Sequence, residues 1–179
     1  PGAQMGAMLT KTMTYAETCD PDEVLMAQKA NRDNHFYADV QIFGEYPKHV
    51  LNYFEENGFQ IAWTDEDLQL LKEYTVDFLS FSYYMSMVVS KNAAQREKVG
   101  GNLMTGVKNP YLNTSEWGWQ VDPVGLRISL IDLYDTYRIP LFVVENGIGS
   151  TDILTEDGTV VDDYRIAYFR DHFEQMNLA

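Results

Sequence analysis

The run Pro140-Leu-Phe-Val-Val144 is the strongest constraint on how this chain can fold. Four apolar residues behind a proline are too few for a helix and too uniform for a strand with one face in water. The run reads as a strand buried on both sides, as in a parallel sheet covered by helices. Parallel strands need a long crossover between them, usually a helix. One precedes the run: Asp122-Pro123 supplies a cap and a first-turn proline, and Val124, Ile128, Ile131 and Leu133 recur near helical spacing.

The same alternation is visible upstream. Met5 to Leu9 predicts a short buried strand, and Pro21-Asp-Glu-Val24 opens a helix to about Asn34 with Asp20 as its cap. Pro47 opens a second helix, Lys48 to Asn57, closed by Gly58, and Thr64-Asp-Glu-Asp67 caps a third that ends near Tyr74. Val76 to Ser82 predicts the next strand. Residues 86 to 114 are polar, contain Gly100-Gly101, and predict a long loop with a hairpin. After the 140–144 strand come a polar, hairpin-like stretch from Asp152 to Thr159 and a last helix from Asp162-Asp163 to about Asn177. This is an α/β succession with a parallel sheet. A closed (β/α)8 barrel needs eight strands and typically about 250 residues. Three core strands are visible here, so the chain is either a small open α/β domain or a piece of a barrel.

The formal net charge of -14 argues against a polyphosphate partner such as a nucleic acid. Cys19 is the one cysteine, which rules out an internal disulfide and fits a reducing cytoplasm. No apolar stretch reaches membrane-spanning length, no signal peptide is visible, and the start at Pro1 suggests that a natural N-terminus lies upstream. His35, His49 and His172 are scattered without metal-ligand spacing, so no metal or cofactor is expected. Neither a phosphate-cradling Gly-Lys-Ser/Thr loop nor a Gly-X-Ser-X-Gly elbow occurs.

Glu145 carries the chemical interest. It ends a buried strand and is followed by Gly147 and Gly149, which let the chain turn without a side chain blocking a substrate. Catalytic groups of barrel enzymes project from such C-terminal strand ends. From spacing alone, a capping or salt-bridging glutamate remains the blander alternative.

Val144-Glu145-Asn146-Gly147 resembles the nucleophile signature of the family 1 glycoside hydrolases. Other landmarks fall around it in family order: Gly44-Glu-Tyr-Pro47, Asp77-Phe-Leu-Ser-Phe-Ser-Tyr-Tyr84, Ser115-Glu-Trp-Gly-Trp-Gln-Val-Asp-Pro-Val-Gly-Leu-Arg127 and Asp163-Tyr-Arg-Ile-Ala-Tyr-Phe-Arg-Asp-His172. Ser80 and Ser82 stand where the common pattern has Gly and Asn, and this subgroup is similar to bacterial 6-phospho-β-glucosidases, which act in the cytoplasm. The resemblance implies that residues 1–179 are the C-terminal part of a TIM-barrel glycosidase domain, about strands five to seven with their helices. It implies Glu145 as nucleophile, Tyr84 as the phenol that orients it, and Trp117 as a platform for the leaving group. Tyr83 reads more simply as a core tyrosine, and Trp119 as structural.

A retaining glycosidase needs a second carboxylate about 5–5.5 Å from the first. The family supplies it from an Asn-Glu pair, and no such pair occurs here. The acidic pairs beginning at Asp22, Glu55 and Asp65 read as helix-dipole partners and solvated faces. The phosphate-binding segment of the phospho-enzymes has no counterpart either. The isolated chain is therefore expected to be inactive, with exposed strand edges met by self-association or by tolerating disorder. The expected ligand is a β-glucoside, 6-phosphorylated in the preferred reading. An unphosphorylated β-glucosidase, a 6-phospho-β-galactosidase and a non-catalytic carbohydrate- or partner-binding βα module remain the alternatives.

Overall fold

The computed structural model of the protein describes residues 2–100 and 105–179; Pro1 and Gly101 lie outside them. In chain order the elements are β1 (Gly6–Thr10), β2 (Met13–Ala16), α1 (Pro21–Asn34), α2 (Phe36–Phe43), α3 (Lys48–Glu56), α4 (Asp65–Glu73), β3 (Phe78–Tyr83), β4 (Ser86–Val89), β5 (Lys98–Gly100), β6 (Thr105–Val107), α5 (Pro123–Tyr137), β7 (Leu141–Asn146) and α6 (Asp163–Asn177). Strands β1, β3 and β7 form a parallel sheet in that order. β2 pairs with β4, also in parallel, and prolongs the β1–β3 pair past their C-terminal ends.

Local chemistry sets the helix boundaries. The Asp20 side chain accepts from the Asp22 amide at 2.9 Å, with Pro21 at the first position of α1. Thr64 and Asp67 form a reciprocal capping box on α4. Asp122 accepts from the Gly125 amide at 2.8 Å to start α5. Gly125 is there for space: a Cβ would lie 2.2 Å from the Tyr83 hydroxyl and 2.4 Å from the Asp122 carboxylate. The core lies between the sheet and the helices, where Leu9, Leu79 and Phe81 meet Ala38 of α2 and Leu126, Leu133 and Tyr137 of α5.

Several expectations change. The 86–114 stretch carries the antiparallel β5–β6 pair, in keeping with the expected hairpin, but it begins with β4, where only loop was expected. Helix α2 and strand β2 were not foreseen. α2 continues from α1 through His35, whose backbone is itself right-handed helical, so no cap marks its start.

The 140–144 run was expected to be buried on both sides. It is a strand, but Phe142 is 58% and Val144 40% exposed. The reason is its place at the edge: among the described residues β7 pairs with β3 alone, and helices cover one of its faces. Leu141 and Val143 pack against the core, and an apolar groove of about 760 Å³ runs along β7 between α5 and α6.

Glu23 also departs from the reading of its pair as a solvated face. It is 2% exposed, and its carboxylate accepts from the Thr18 amide and hydroxyl and from the Lys91 amide and Ser90 hydroxyl. His35 belongs to a buried polar cluster, with Lys11 Nζ 2.6 Å from its Nε2 and 3.1 Å from Asp132. His172 is fully buried and stacks on Tyr168.

Candidate active site

The C-terminal ends of β3 and β7 bring together the residues singled out in the sequence. The Tyr84 hydroxyl donates to Glu145 Oε2 at 2.9 Å. Burial, and then the carboxylate it faces, push the Tyr84 phenol above its ordinary value, so it stays a proton donor at neutral pH. Trp119 meets Tyr84 edge to face, with ring centroids 5.4 Å apart, and Trp117 meets Trp119 in the same way at 6.0 Å. Trp117 is half-exposed, whereas Trp119 is more enclosed. Tyr83 turns the other way: it is fully buried and donates to the Asp122 carbonyl at 2.8 Å.

An irregularity in β7 decides where Glu145 points. Leu79, Ser80 and Phe81 lie opposite Leu141, Phe142 and Val143; the register then slips, so that Ser82 lies opposite Glu145 and Tyr83 opposite Asn146. Val144 is the extra residue. Paired residues of a parallel sheet share a face, so regular pairing would set Glu145 beside fully buried Tyr83, in the helix-packed layer. The bulge sets it beside Ser82 instead, on the face that Ser80 and Phe142 share. Re-aiming a side chain next to a functional site is a recurrent use of β-bulges.

Asn146 takes the inward place. Its amide donates to the Tyr83 carbonyl at 2.7 Å and to the Tyr168 hydroxyl at 3.0 Å, tying the strand end to α6. The loop beyond it is held by Asp152, which accepts two bonds from Arg165 and one from Tyr164. Glu116, next to Trp117, accepts from Ser150 and Thr151 of that loop. Sequence reading passed over Asn146 and Glu116, although both lie inside the quoted motifs. Among the described residues no group of His, Cys, Asp or Glu is arranged to hold a metal ion. Nor is any helix among them long and apolar enough to cross a membrane.

A parallel βα sheet offering a carboxylate at a strand's C-terminal end is the plan of barrel enzymes. A solved β-glucosidase from Thermotoga maritima, in complex with glucoimidazole, shares the fold: TM-score 0.79, 20% identity, over 98% of this chain and 38% of that one. Glycosyl hydrolase family 1 matches residues 1–179, and the chain belongs to that family. It is 52% identical, over 96% of its length, to the aryl-phospho-beta-D-glucosidase BglH of Bacillus subtilis, and 49% identical over its whole length to a 6-phospho-beta-glucosidase of Dickeya chrysanthemi. The chain spans 37% and 38% of those two relatives. These matches support the family and this share of its length; they do not support the expected C-terminal placement.

Proposed function

We propose that this chain is part of a retaining β-glycosidase that hydrolyses 6-phospho-β-glucosides, with Glu145 as its nucleophile. The Tyr84–Glu145 hydrogen bond at an open strand end carries the reading. A retaining mechanism needs an ionised carboxylate aimed at the anomeric carbon. The phenol steadies the carboxylate on one oxygen and leaves it facing the cleft. Attack forms the glycosyl-enzyme bond as the leaving oxygen takes a proton; water then attacks the same carbon and restores Glu145. Trp117 presents an apolar face to the leaving group.

The proton donor has no candidate in this sequence, so the chain by itself does not turn over glycosides. Phosphorylation of the sugar is supported by the names of the two relatives, both phospho-glucosidases. A substrate phosphorylated on uptake sets the reaction in the cytoplasm. The edges of β1 and β7 and the groove beside β7 are covered in the full-length protein, and in the isolated chain they drive self-association.

The decisive experiment exposes the full-length protein to a 2-deoxy-2-fluoro-6-phosphoglucoside and maps the labelled peptide. Attachment at Glu145 is expected; no attachment would favour a carbohydrate- or partner-binding module. The likeness to the Thermotoga β-glucosidase favours a second reading, an unphosphorylated substrate. Nitrophenyl glucosides and galactosides with and without the 6-phosphate, compared side by side, separate these readings.

A further inference from the structure

We infer that Glu116 is a positioning residue, whose carboxylate fastens the loop after β7 to the loop carrying Trp117 and so fixes where the indole stands. This rests on the glycosidase reading of the site and adds a residue to it.

The Trp117 loop holds its own shape without the Glu116 side chain. Ser115 donates its amide to the Trp119 carbonyl at 2.8 Å, Gly118 donates to the Ser115 carbonyl at 2.9 Å, and Trp119 donates to Ser115 Oγ at 3.3 Å. The hydrogen bonds of the Glu116 carboxylate go instead to the neighbouring loop. Its Oε2 accepts from the Thr151 amide at 2.8 Å and from the Ser150 hydroxyl at 3.0 Å. Those donors, the amide first, hold the carboxyl below its ordinary value, with desolvation and then nearby Asp152 opposing them.

The two loops also meet through the indole. A Cβ built on Gly149 would lie 2.2 Å from Trp117 Cε3, so the ring rests directly on the backbone of the loop that Glu116 grips. Three residues beyond Gly149, Asp152 is fastened to α6 by Arg165 and Tyr164. The loop is thus pinned by α6 on one side and by Glu116 on the other, with the floor under Trp117 between the pins and Glu145. Glu116 is exposed, so it fills no core, and a surface carboxylate contributes little to global stability. Its effect is local: it sets the height of an aromatic platform relative to the attacking carboxylate.

The test uses the full-length protein, with hydrogen exchange at the Thr151 amide and steady-state kinetics read in parallel. Glu116→Ala is expected to speed that exchange about tenfold, the worth of one charge-assisted hydrogen bond. It is expected to raise KM for a nitrophenyl 6-phosphoglucoside about fivefold, with kcat within about twofold and KM for the methyl 6-phosphoglucoside unchanged, because an aromatic leaving group uses the platform and a methyl group does not. Glu116→Gln keeps an acceptor oxygen and restores both readouts. Unchanged exchange in Glu116→Ala would overturn the proposal, and so would equal changes in KM for the two glycosides. If the wild-type protein turns over neither glycoside, with or without the 6-phosphate, the glycosidase reading itself falls, and the exchange rate alone reports whether the loops are fastened.

Discussion

Glu23 and Glu145 are both glutamates at the end of a regular element, and they are treated in opposite ways. Glu23 sits in the first turn of α1, is almost wholly buried, and accepts from four donors that tie α1 to the end of β4. The Thr18 hydroxyl leads in holding its carboxyl below the ordinary range. Glu145 ends an edge strand, lies exposed, and has one hydrogen bond among the described residues, from Tyr84. A carboxylate surrounded by donors is a fastener and has nothing left to give. One held at a single oxygen and open on the other side is free to attack.

The sharpest way to break this contrast is to substitute both glutamates. Glu145→Gln in the full-length protein is expected to cut turnover of a nitrophenyl 6-phosphoglucoside by roughly a thousandfold or more, with an unchanged melting curve. A change of a few-fold would remove Glu145 from the chemistry. Tyr84→Phe should have the next largest effect. Losing one hydrogen bond to a charged group is worth roughly ten- to a hundredfold in kcat/KM. Kinetics indistinguishable from wild type would mean that the phenol does not steady the attacking group.

Glu23→Ala should show itself in stability. The Thr18 amide and hydroxyl and the Lys91 amide lose their acceptor, whereas the Ser90 hydroxyl keeps Glu17, and Tm is expected to fall by about 5 °C, checked by calorimetry, with Glu23→Gln in between. The smallest effect belongs to the buried Lys11–His35–Asp132 cluster. Burial first, then the Lys11 ammonium, lowers His35 to about 4 from its usual 6.5, while Asp132 pulls the other way. The unfolded chain therefore binds more protons between those values. Stability is full above about 6.5 and falls as pH drops toward 4, by up to about one proton's worth of slope. In His35→Gln that part of the slope should vanish from denaturation midpoints measured across the window; an identical slope would assign it to other groups.

How much of this was legible depended on the kind of signal. Asp20-Pro21, Thr64 to Asp67 and Asp122-Pro123 announce helix starts because capping is short-range chemistry. β7 was visible as an apolar run, but its exposure was not, since burial depends on which neighbours cover it. α2 went unnoticed because it continues from α1 without a cap, and β2 and β4 because four-residue strands leave little pattern. The meeting of Glu145, Tyr84 and Trp117 could be expected from resemblance. The four donors around Glu23 could not, because they come together from segments some seventy residues apart.

Val144 has a consequence of another kind. Because it enters β7 as one residue too many, the aim of the proposed nucleophile depends on an odd or even count and not on any side chain. Val144→Ala would keep the count and cost little. Unbroken pairing of β7 with β3 while Val144 stays would turn Glu145 toward Tyr83 and Leu126, where an ionised group has neither water nor a ready partner; deleting Val144 would straighten the ladder and leave Glu145 opposite Ser82. A single missing codon would then remove the bulge and keep the aim.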